Sequence, residues 1–61
     1  MQLVRLALSI SEAAEAAGVS RSFLYRAIQR GNGPATIKMG ADLRILVSDL
    51  EAWLRTLRHA A

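Results

Sequence analysis

Residues 18–31 read GVSRSFLYRAIQRG and gather Arg21, Ser22, Tyr25, Arg26, Gln29 and Arg30 within a few turns of one another. These side chains suit binding rather than bond making. A guanidinium grips two phosphate oxygens, or the O6 and N7 of one guanine, at once. Hydroxyls of Ser20, Ser22 and Tyr25 suit phosphate, and the amides of a helix starting at Ser20 can hold a phosphate with the help of the helix dipole. Further along, Lys38 offers a point charge and Arg44 a second fork. The bland alternative is an ordinary solvated face, which every soluble helix has, so the reading depends on the surroundings of these residues.

Catalytic chemistry is poorly represented. The sole histidine, His59, follows the last helix and has no carboxylate or second ligand nearby in sequence. It therefore suggests neither a hydrolytic triad nor a metal site. Cysteine is absent, which removes disulfides and thiolate zinc as well. Gly31 and Gly33 read as a helix stop and a turn, not as a phosphate loop. No catalytic residue, metal, cofactor or small-molecule substrate is expected.

At 61 residues the chain holds one domain at most, expected to span 1–61. A domain of this size buries only about 60% of its unfolded surface. Its apolar fraction of 52% is that of a folding chain. LVRLALSI near the start is interrupted by Arg5 and lacks the features of an export signal or a membrane span. The expected location is the cytoplasm of a bacterium or a phage-infected host. Net charge is +3, but Arg21, Arg26, Arg30, Lys38 and Arg44 face only Asp42 in the middle of the chain, a local balance of +4. Arg5, Arg55 and Arg58 against Glu12, Glu15, Asp49 and Glu51 leave −1 for the remainder. Such concentration suits a polyanion surface.

The elements that must position these residues are legible in part. Ser9-Ile10-Ser11-Glu12 fits a capping box, Ala13, Ala14, Ala16 and Ala17 favour a short helix, and Gly18 ends it. Ser20 caps a second helix over Arg21–Arg30 that Gly31 stops, with Val19, Leu24, Ala27 and Ile28 as its apolar stripe and Phe23 at the edge of the core. Two helices joined by a turn of about four residues form a helix-turn-helix, at about 9–31. Asn32-Gly33-Pro34 breaks the chain. Thr36–Met39 and Leu43–Val47 flank Gly40-Ala41-Asp42 as a hairpin at about 35–47, with Ile37 and Met39 on one face. Ser48-Asp49-Leu50-Glu51 suggests another capping box, opening a helix over about 48–58 with Leu50, Trp53, Leu54 and Leu57 inward and Trp53 as core anchor. Leu3–Leu8 reads equally as a strand or as an apolar lead-in.

Taken in order, "SISEAAEAAGVSRSFLYRAIQRG", "KMGADLRI" and "SDLEAWL" resemble the winged helix-turn-helix domain of excisionase and AlpA-like regulators, related to the DNA-binding domain of the MerR superfamily. The resemblance covers Ser9 to Leu54 and implies an α+β, mostly helical fold: two-helix motif, β-hairpin wing, C-terminal helix. It further implies that Ser20, Arg21, Ser22, Tyr25 and Arg26 enter the major groove and that Lys38, Gly40 and Arg44 of the wing meet the DNA; Gln29 and Arg30 are candidate DNA contacts on their own chemistry, with a solvated face as the equal alternative. Those families usually carry two glycines and then a basic residue at the wing tip, whereas this chain has Gly40-Ala41-Asp42-Leu43. An aspartate opposes phosphate, so the tip either turns away from DNA or touches a neighbouring protein molecule.

The function implied is that of a phage or mobile-element excisionase, a recombination directionality factor that binds repeated sites on double-stranded DNA, bends it and helps an integrase. An AlpA-like transcription regulator is the alternative of the same class. One module buries only about 600–1,000 Å² on DNA, so several copies are expected on neighbouring sites, touching head to tail through the wing, the termini or the last helix. A protein-interaction module such as an antitoxin is the alternative of another class, with Leu3, Val4, Leu6 and Leu8 as its candidate apolar patch.

Overall fold

The computed structural model describes residues 5–57. Among them, β1 (Ala7–Ser9), α1 (Ile10–Ala17), α2 (Arg21–Gln29), β2 (Ile37–Met39), β3 (Asp42–Leu46) and α3 (Val47–Thr56) follow in that order. The three strands form one antiparallel sheet in the order β1-β3-β2. The fold is a small winged helix-turn-helix of the α+β class.

Ser9 starts α1 as expected: its Oγ accepts from the Glu12 amide at 3.1 Å, and its own amide donates to Glu12 Oε1 at 2.9 Å. Ser20 caps α2 by accepting from the Phe23 amide at 3.0 Å. Both helices close around a left-handed glycine, Gly18 at φ 77° and Gly31 at φ 79°. Val19 N–H reaches Ala14 O at 3.0 Å after α1, and Asn32 N–H reaches Ala27 O at 2.9 Å after α2. These bonds satisfy carbonyls that a helix end otherwise strands. The turn between the helices is the three residues Gly18-Val19-Ser20, one shorter than its sequence suggests.

Ala13, Ala14, Leu24, Ile45, Leu50 and Trp53 are buried and form the core, with Val19, Ala27, Ile28 and Leu54 packed on it. The alanines of α1 let α2 and α3 approach closely, which a two-turn helix needs because it is marginal alone. Trp53 is the expected anchor, and its indole Nε1 donates to Asn32 O at 2.7 Å.

Several expectations are corrected. The segment left undecided near the start supplies β1, whose Ala7, Leu8 and Ser9 pair with Leu46, Ile45 and Arg44; Leu3 and Val4 lie outside the described residues. The wing turn is a two-residue loop, Gly40-Ala41, because Asp42 pairs with Met39 and belongs to β3. Positive φ at Gly40 alone fits a type II′ turn. Ile37 and Met39, two apart in β2, share a face as expected, and since both are exposed this edge strand has no buried face. The capping box at Ser48 does not form: α3 begins at Val47 after an N-cap at Leu46 that makes no side-chain bond. Strand pairing carries the chain directly into the helix, and the Val47 amide is satisfied by Leu6 O at 2.8 Å. Leu57 is the C-cap and exposed rather than inward, Phe23 is exposed rather than at the core edge, and Arg58 and His59 lie outside the described residues.

Candidate nucleic-acid interface

The first turn of α2 has its amides free beyond the one that Ser20 caps, and a helix N-terminus attracts anions. The Ser20 hydroxyl accepts within the cap and retains its hydrogen for an outside acceptor. Arg21, Ser22, Tyr25, Arg26, Gln29 and Arg30 are all exposed. Their arginines border two different clefts.

Arg21 and Tyr25 turn toward the wing. With Arg44 of β3, Ala41 and Asp42 of the wing, and Ser9 and Ser11 at the start of α1, they line an open cleft of about 360 Å³. Arg21, Ser22 and Tyr25 continue this surface into a second shallow hollow. Arg26 and Arg30 instead line a separate cleft with Phe23, Trp53 and Leu57 on the α3 side. Gln29 is exposed on α2, and Lys38 and Gly40 are exposed on the wing; none of the three lines the cleft of Arg21. The aspartate of the wing tip thus borders the same hollow as Arg21 and Tyr25.

The electrostatics of the cleft are more balanced than the mid-chain charge suggests. Arg44 Nη1 lies 3.9 Å from Glu12 Oε1 and its Nη2 3.9 Å from Asp42 Oδ2. Glu12 also accepts from Arg5 Nη1 at 2.6 Å. The Ser9 amide holds the Glu12 carboxyl below its ordinary value; partial desolvation opposes this, while the charges of Arg5 and Arg44 reinforce it. Arg44 is therefore a cation shared among carboxylates, whereas no ion pair holds Arg21 among the described residues.

Glu12 and the α1 serines are the members of this site that sequence reasoning missed. Glu12 was legible only as a helix cap. Its proximity to Arg44 follows from the β1–β3 register, which sets Ser9 opposite Arg44, and no local pattern encodes that pairing. Among the described residues no cluster of metal-ligating side chains occurs, and no helix is long and apolar enough to cross a membrane.

The sequence model of the helix-turn-helix domain family matches residues 7–58. That family includes excisionase and AlpA-like proteins, and its domains bind DNA sequence-specifically and are typically non-enzymatic. No curated protein matches the chain.

Proposed function

The chain belongs to the helix-turn-helix family, and we propose that within it the protein acts as an excisionase, binding repeated sites on double-stranded DNA, bending them and directing an integrase toward excision. The observation that carries the DNA-binding part is the meeting of Arg21 and Tyr25 of α2 with Arg44 of the wing along one open cleft. Here α2 takes the major groove through Ser20, Arg21, Ser22, Tyr25, Arg26 and Gln29, with Arg30 at its margin. The wing follows the backbone through Lys38, Gly40 and Arg44. Arginine forks supply base-edge contacts, and hydroxyls and amides supply the phosphate contacts that set register.

One copy offers a small footprint, so affinity is built from several copies on adjacent sites. The excisionase role is supported by the resemblance of the three motifs, and an AlpA-like regulator would share the same surface. A gel shift on DNA from beside its gene, a bending assay and an excision assay with the neighbouring integrase test the reading together. Stepwise shifts, bent complexes and raised excision support it. Binding that alters only transcription from a nearby promoter would replace the excisionase role with the regulator's.

A further inference from the structure

A second cleft lies on the opposite flank of α2 from the wing, with a volume of about 240 Å³. Its walls are Phe23 and Ala27 of α2 and Trp53 and Leu57 of the last helix, and Arg26 and Arg30 stand on its rim. Phe23 is 52% exposed and Leu57 44% exposed. Single exposed apolar residues are ordinary, whereas Phe23 and Leu57 stand side by side over one hollow with Trp53 at its wall, the clustered arrangement that marks an interaction surface.

The rim says what kind of occupant fits. Arg26 and Arg30 are one turn apart on α2, where like charges oppose each other. No carboxylate lies within ion-pair distance of either among the described residues, although Arg5 and Arg44 each have one. Two unneutralised guanidinium groups beside an apolar hollow complement a segment that carries a large apolar side chain flanked by carboxylates.

A second copy of this chain does not supply that combination. Among the described residues its other large exposed apolar side chains are Leu6, beside Arg5, Tyr25, next to Arg26, and Ile37 and Met39, which flank Lys38. Bringing Tyr25 or the Ile37 and Met39 patch to the cleft sets cation against cation, and Leu6 brings Arg5 with Glu12 already paired to it at 2.6 Å; Asp42, opposite Met39, is itself shared with Arg44, so no patch offers free carboxylates. Residues 58–61, Arg-His-Ala-Ala, contain no acidic side chain either.

We propose that this cleft docks an acidic, amphipathic segment of another protein, with a leucine or phenylalanine seated between Phe23, Trp53 and Leu57 and carboxylates on Arg26 and Arg30. Such a segment reads as a helix-in-groove partner, anchored by one turn's apolar residue. Arg26 and Arg30 also belong to the set proposed to contact DNA, so duplex DNA and this partner compete for them, while Phe23 and Leu57 serve the partner alone.

The test is an NMR titration of the full chain with two synthetic alanine-based helical peptides. One carries a central leucine with glutamates one turn to either side; the other carries lysines in their place. The glutamate peptide should shift the Trp53 indole, Phe23 and Leu57 signals, and the lysine peptide should not. Phe23→Ser and Leu57→Ser should each weaken that binding roughly tenfold, as loss of a central anchor does, and leave DNA affinity unchanged. Arg30→Glu, which leaves Arg26 as the one cation on the rim, should abolish the preference between the peptides. Both substituted apolar residues are exposed, and the spectra of the variants report that the fold survives.

Equal or absent binding of the two peptides overturns the proposal. So do shifts confined to Arg21, Tyr25 and Arg44, and shifts of the cleft signals with protein concentration alone, which would make a second copy the occupant. DNA binding measured on the same samples fails or survives independently, so the two readings are separable.

Discussion

The indole Nε1 of Trp53 donates to the backbone oxygen of Asn32 at 2.7 Å, joining the last helix to the loop that ends α2. Asn32 is itself fixed by its amide, which donates to Ala27 O at 2.9 Å. Trp53 thus holds the C-terminal end of α2 while filling the core. Trp53→Ala should cost about 3–5 kcal/mol. That is as much as a core this small supplies, so the variant should be largely unfolded by circular dichroism. Trp53→Phe keeps most of the packing and leaves the Asn32 oxygen without this donor; its cost should be about 1–2 kcal/mol by urea titration.

Gly33 is needed for space. A Cβ there would stand 2.8 Å from the Ile28 amide nitrogen and 2.9 Å from its Cγ1. Gly33→Ala must push the loop off α2 and should destabilise the fold by about 1–3 kcal/mol. A smaller effect in thermal unfolding, under a few tenths of a kcal/mol, would show that the loop yields freely.

Glu12 makes the fold sensitive to acid. Its folded carboxyl is held below the ordinary 4.5, first by the Ser9 amide. A depressed folded pKa gives stability that is present above the unfolded value and lost as pH falls through the folded one. Thermal midpoints should therefore drop as pH is lowered below about 4.5, the ordinary value, and this part of the drop should vanish in Glu12→Gln. Identical pH profiles for the two proteins would remove Glu12 from the account.

How much of this was legible beforehand follows from the range of each interaction. The caps at Ser9 and Ser20, the stops at Gly18 and Gly31, and the Leu24 stripe are set by partners within about one turn, and each reads directly from spacing. The start of α3 does not. Ser48 has a cap's neighbours, yet the bond from Val47 to Leu6, 41 positions away in sequence, begins the helix earlier. The division of α2 into an Arg21–Tyr25 flank and an Arg26–Arg30 flank was equally hidden, since it depends on where the wing and α3 pack. Apolar character alone also misplaced Phe23 and Leu57, which the core leaves outside.

Asp42 should weaken DNA binding rather than serve it. Its carboxylate lies 3.9 Å from Arg44 and borders the cleft of Arg21 and Tyr25. Asp42→Asn leaves Arg44 with Glu12 as its one carboxylate neighbour among the described residues and removes a like charge from the path of a phosphate. An exposed pair of this kind is worth up to about 1 kcal/mol, so affinity for duplex DNA should rise roughly two- to fivefold. Unchanged affinity would place the wing tip away from DNA.

In the proposed complex Arg21 and Arg44, from different elements, grip the same duplex. Fluorescence anisotropy of a labelled duplex from beside the gene, measured across a salt series, tests it most directly. About four phosphate contacts should give a slope of log affinity against log salt of roughly −3 to −4. Arg21→Ala and Arg44→Ala should each weaken binding and reduce that slope by about 1. A salt-indifferent affinity, or the same slope in all three proteins, would contradict the account and return that polar face to solvent.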